Sequence, residues 1–187
     1  MGGPGRAAVL IVAAVVIASG AAAAAARSRG QEARLSPHES NHATIDGAHI
    51  TITYGRPFMR GRKIFGGLVP FDRIWMPGAD EATILQTDRA LDFGHLHVPA
   101  GSYSLYTLPA ARQWQLIINR QTGQWHTEYD QSQDLGRIPM RIEPLSPPVE
   151  QLLIQAVPHD SGGALELRWE RTLVYAPFSV EPGAGGR

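Results

Sequence analysis

Apolar and polar positions alternate with a period of two through most of the chain, and no segment past residue 26 sustains a helical period. Residues 49–54 place Ile50 and Ile52 on one side and Thr51 and Thr53 on the other, after the hairpin dipeptide Asp46-Gly47. Short β-branched or aromatic runs follow at 82–87, 95–98 and 102–108, separated by turn signals at Gly94 and at Pro99-Ala100-Gly101. Residues 114–119 put Trp114, Leu116 and Ile118 on one face. Residues 120–136 are polar and predict a loop with at most one helical turn. Strand signals resume at 138–145, at 149–157 with apolar residues on both faces, and at 165–169. In the last run Leu165, Leu167 and Trp169 alternate with Glu166 and Arg168, predicting one wet face. The 159–163 stretch between them reads as a hairpin turn. Residues 172–180 supply a last strand that Pro177 places at an edge.

Eight or more short strands joined by turn signals predict an all-β chain, an antiparallel β-sandwich, with an open barrel as second choice. Leu116, Ile118, Leu165, Leu167 and Trp169 are expected in its core.

The N-terminus changes the picture. One positive charge precedes an apolar run over 7–26 with A-x-A choices at Ala22, Ala24 and Ala26, the pattern of a secretory signal peptide. The expected organisation is a signal at 1–26, a flexible spacer at 27–42, one β-sandwich domain at 43–181 and a loose tail at 182–187. The chain is then exported, periplasmic or extracellular, and meets a membrane only through the signal segment if that stays uncleaved. There is no cysteine, so the domain is held by its core and not by disulfides. Formal charge is balanced and the basic residues are not massed, which argues against nucleic-acid binding. Oligomeric state is not legible.

The connection over 54–83 breaks the strand rhythm. It is long, rich in Gly and Pro, and carries Arg56, Arg60, Arg62, Lys63, Trp75, Asp80 and Glu81. Long connections on a rigid β scaffold often hold function. Glu81, at the join of loop and strand, is expected to pair with Arg56 or Arg62, partly buried, because a carboxylate leaving water needs a guanidinium. That pair is read either as part of a pocket or as a structural clamp. Trp75, Trp125 and Tyr129 are candidates for an aromatic wall, with Asn119 and Asp134 as polar contacts. His95-x-His97 has a metal-ligand spacing but needs a third ligand, and His126 and Asp92 have no spacing to recommend them, so no metal and no cofactor is assigned. Asp80 and Glu81, adjacent in sequence, would point apart on a strand.

No cysteine nucleophile, G-x-S-x-G, phosphate loop or dinucleotide fingerprint is present. The reading is a domain that binds a glycan or an anionic small molecule. The alternatives are a hydrolase or lyase working with carboxylates and Arg, and a structural or interaction module of the cell envelope.

Several motifs in order resemble a known family. They are Tyr54-Gly55-Arg56-Pro57, Gly61-Arg62-Lys63-Ile64-Phe65-Gly66, Leu68-Val69-Pro70, Trp75, Gly78-Ala79 and Glu81-Ala82-Thr83. Pro99-Ala100-Gly101 with Tyr103 follows, then Trp114 with Asn119, Trp125, Tyr129, Asp134 and Arg137. Together they resemble domain-of-unknown-function family 2911. The resemblance implies an exported, single-domain bacterial β-protein and supplies no catalytic or binding residues. The chain departs from the family pattern at Met76-Pro77, where Arg-Thr is usual, at Asp80, often Asn, and at His126, commonly Gly.

Overall fold

A computed structural model describes residues 35–182. The signal peptide expected at 1–26, half of the expected spacer and all but the first residue of the expected tail lie outside them. Among the described residues no helix is long and apolar enough to cross a membrane.

Nine strands form one antiparallel sheet. They are β1 (His38–Ile45), β2 (Ala48–Gly55), β3 (Ile84–Thr87), β4 (Leu91–Asp92), β5 (His97–Val98), β6 (Gly101–Leu108), β7 (Trp114–Asn119), β8 (Asp134–His159) and β9 (Gly162–Val180). Their order is β1-β2-β3-β6-β7-β8-β9-β4-β5. The sheet does not close into a barrel. It folds over because β8 changes partner along its length: residues 134–140 pair with β7, and from Arg141 onward β8 pairs with β9. The folded-over half meets the first strand where Asn41 Nδ2 donates to Ile154 O at 2.6 Å.

The β1–β2 turn is the Asp46-Gly47 pair, both at positive φ, with Ile45 opposite Ala48. Such a turn twists with the strands it joins. β1 begins at His38, ahead of the strand signals read from Ala43, because the register runs unbroken back to His38 opposite Gly55. The β8–β9 hairpin turns at Asp160-Ser161, with His159 opposite Gly162.

The expected core residues are all buried: Leu116, Ile118, Leu165, Leu167 and Trp169. The wet face expected on β9 is only partly wet. Glu166 is buried, held by Arg168 NH2 at 2.8 Å and by Gln155 Nε2 at 3.3 Å. The expected edge strand is corrected: β9 lies inside the sheet between β8 and β4, and Pro177 falls in the gap between the β8 pair at Tyr175 and the β4 pair at Ser179, where no ladder bond is lost.

The 56–83 connection is stitched to two strands. Its start lies along β8, with Met59 N donating to Glu150 O at 2.7 Å and Leu152 N to Pro57 O at 3.0 Å. Farther on it extends the sheet beside β6, past the end of β3. Trp75 and Thr107 exchange backbone bonds of 2.8 and 2.7 Å there, and Leu105 N donates to Thr83 O. Between these seams Phe65 and Trp75 enter the fold. Trp75 stacks on Trp169 (6.1 Å, 17°), and Phe65 meets Trp114 edge-on at 4.8 Å. Rings so arranged add attraction beyond the area they bury.

Candidate functional site

The residues singled out in the connection separate into two groups. Arg56 and Arg62 belong to the first, and neither pairs with Glu81. Arg56 forms its ion pair with Glu39 of β1, and its Nε donates to Leu152 O at 2.9 Å. Arg62 donates to the carbonyls of Phe58 and Met59, closing its own turn. The expected Glu81–arginine pair is therefore corrected. Glu39 lay in the stretch read as spacer, and once β1 reaches back to His38 it stands close to Arg56. Trp75, expected in a ligand wall, is half-buried and packs against the core within the ring cluster.

Asn119, Tyr129 and Asp134 do come together, as a self-satisfied knot. Asn119 is fully buried; its amide donates to Asp130 O and Asp134 Oδ1, and its Oδ1 accepts from Gln121 N. Tyr129 donates its hydroxyl to Asp134 Oδ2 at 2.6 Å, while Arg137 approaches both groups. The Tyr129 phenol is pushed up to about 12, first by desolvation and then by its bond to the Asp134 carboxylate and that group's charge. A short 3-10 turn at Gln131–Gln133, capped by Asp130, completes the loop. With its polar atoms bonded to one another, the knot fixes the loop that carries Trp125.

That loop meets the far end of the connection. Glu81 and Trp125 form a β-bridge, and Ala82 N donates to Gln124 O at 3.1 Å. His126 clasps Asp80 O twice, through its backbone N at 3.0 Å and its ring Nδ1 at 2.7 Å. A carbonyl only accepts, so Nδ1 carries the proton. Asp80 has φ of 67°. This left-handed residue brings together the two adjacent carboxylates that a strand would have splayed. Both reach one imidazole: His38 Nε2 lies 3.2 Å from Asp80 Oδ2 and 3.2 Å from Glu81 Oε2. The three ligand atoms sit within 4.8 Å of one another, so among the described residues His38, Asp80 and Glu81 form a set whose spacing could hold a metal ion. The approach depends on Gly55, opposite His38 in the register, where a Cβ would lie 2.3 Å from Ala79 O. Beside this set the Trp125 ring is 45 % exposed and tilts against His126 at 5.5 Å.

Sequence reasoning missed His38 as a site residue. The signal was the Asp46-Gly47 turn, since extending the hairpin equally on both sides brings His38 opposite Gly55. His95 and His97 do not converge on a shared ion: His95 Nε2 donates to Arg137 O, and His97 pairs with Glu181. A cavity of about 550 Å³ lies elsewhere, lined among others by His95, Arg141, His159 and Asp160, and none of the predicted site residues line it.

The model of the family described as a protein of unknown function (DUF2911) matches residues 36–178. The chain belongs to that family. No curated protein and no solved structure matches the chain. The DUF2911 match spans every strand of the sheet almost to its end, together with His38, the whole connection and the Trp125 loop.

Proposed function

We propose that this DUF2911 chain is an exported binding domain that holds a neutral glycan against Trp125. The observation carrying the proposal is a half-exposed Trp125 that bridges Glu81 through the backbone and packs its ring against His126, the residue that clasps Asp80. Sugar rings present C–H faces that pack on an indole, and their hydroxyls bond to carboxylates and imidazoles. The anionic-ligand reading loses support from the same geometry. Its guanidinium groups, Arg56 and Arg62, are engaged with Glu39 and with backbone carbonyls, and the groups flanking Trp125 include two acids. Export rests on the signal pattern at 1–26.

The test is thermal shift with neutral and with sulfated or phosphorylated oligosaccharides, on the wild type and Trp125→Ala. A neutral saccharide should raise the melting temperature of the wild type and not of the variant. A shift confined to anionic saccharides, or retained in Trp125→Ala, overturns the reading.

The hydrolase alternative draws on one observation, the convergence of Asp80 and Glu81 on a single imidazole, which sets two carboxylates in reach of one bond. Release of reducing ends from the bound saccharide, lost in Glu81→Gln, would favour it over simple binding.

A further inference from the structure

We infer that His38, Asp80 and Glu81 form a binding site for a divalent cation of the zinc class. The inference stands on these three side chains and the backbone that aims them, and it does not depend on the sugar reading.

The donor set is mixed: one imidazole nitrogen from β1 and two carboxylate oxygens from the end of the connection. Imidazole with carboxylates suits Zn²⁺ and its borderline neighbours, whereas Ca²⁺ takes oxygen ligands alone. The spacing of the imidazole from each carboxylate is close to that of a metal site, and the whole set lies within 4.8 Å. Bonds of about 2.0–2.2 Å in a tetrahedral site put neighbouring ligand atoms roughly 3.3–3.6 Å apart. His38 Nε2 lies 3.2 Å from each carboxylate oxygen. A cation bonds all three atoms at once.

The ligands are held from outside the set. Gly55 leaves room for Ala79 O and for the His38 ring, which a Cβ there would approach to 3.1 Å. His126 clamps Asp80 O through two bonds, fixing the left-handed backbone from which both carboxylates turn inward. Three protein ligands leave a position open to a fourth, a water or a sugar hydroxyl beside Trp125.

The full chain, freed of metal with a chelator, is titrated calorimetrically with Zn²⁺ alone, no saccharide being present. Co²⁺ substitution gives an independent visible spectrum. One Zn²⁺ per chain should bind. His38→Ala and Glu81→Gln should each weaken binding by at least about tenfold, in line with the loss of a metal ligand. His49→Ala, at the exposed His49–Asp88 pair elsewhere on the sheet, should leave binding unchanged. The melting curve of each variant reports whether it is folded, and Glu81→Gln serves if His38→Ala is not. Absence of saturable binding overturns the site and leaves a histidine–carboxylate ion pair only. So does equal affinity in the folded variants, or Ca²⁺ binding more tightly than Zn²⁺. Because saccharide is left out, failure of the metal site leaves the glycan test intact, and the reverse holds.

Discussion

The two ends of the long connection differ in composition and meet opposite fates. Residues 56–75 hold all of its arginines, two aromatic rings of the core's ring cluster and the seam along β8. Residues 77–83 hold Asp80 and Glu81, the seam beside Gln124–His126 and the approach to His38. In the first part the polar groups act on shape: Arg62 bonds carbonyls of its own turn, and Arg56 ties β1 to β8 through Glu39 and Leu152 O. In the second, side chains of two separate segments, His38 and the Asp80-Glu81 pair, face one another at the surface, and a third segment joins them through the Glu81–Trp125 bridge. A density of charge and aromatics therefore did not locate the candidate site. What each group bonds to, its own backbone or another segment's side chain, separates the two ends.

The two tryptophans give the largest test of this difference. Trp75→Ala removes a ring stacked on Trp169 and should cost about 3–5 kcal/mol. Trp125→Ala removes a half-exposed ring and should stay within about 0.5 kcal/mol. Denaturant titration of both variants measures the gap. Similar losses would mean that Trp125 is structural and that the comparison fails. Leu167→Ala, buried on β9, calibrates the scale at about 2–5 kcal/mol.

A smaller effect is expected where the first part is pinned. Glu39 and Arg56 are partly exposed, at 42 % and 20 % of their side chains. Their coupling in a double-mutant cycle should be about 0.2–1 kcal/mol, the range of solvent-screened pairs. The Glu81–Arg56 cycle should give no coupling outside error. A clear Glu81–Arg56 coupling would restore the clamp expected from the sequence and contradict the arrangement described.

The sequence made the hairpins and the strand phase legible for local reasons. Asp46-Gly47 and the 159–163 turn carry their own backbone preferences, and Leu116, Ile118, Leu165 and Leu167 keep the period of two. The continuity of β8 was hidden by its prolines. Pro139 and Pro144 lie within ladders, and Pro147-Pro148 fall where the register slips between Pro144 and Val149. A strand that changes partner and bulges tolerates residues that lack an N–H. Of the candidate site, Glu81 and Trp125 were legible as types, and Asn119, Tyr129 and Asp134 as neighbours. Their partners were not, because pairing across a folded sheet depends on register. Arg56 finds Glu39, and Asp80 and Glu81 find His38, only once β1 is in place.

The smallest effect concerns the knot beneath the Trp125 loop. Tyr129 titrates at about 12, above the usual tyrosine value near 10, with desolvation the leading cause and the Asp134 bond and charge behind it. Burial also raises Tyr54 and Tyr103, so Tyr129 must be identified by difference. Ultraviolet titration of the wild type against Tyr129→Phe should remove one transition near pH 12. Asp134→Asn keeps an acceptor for the hydroxyl and deletes the charge, so the Tyr129 transition should move down toward its ordinary value without reaching it, burial remaining. The consequence for stability has a definite sign. The folded value lies above the unfolded one, so the contribution is complete below about pH 10 and is lost as pH rises from there through 12. Tyr129→Phe should therefore flatten the fall in melting temperature across that window and leave neutral-pH metal or saccharide binding unchanged. If that variant instead abolished binding at neutral pH, the Tyr129 hydroxyl would belong to the site and not to the scaffold that presents Trp125.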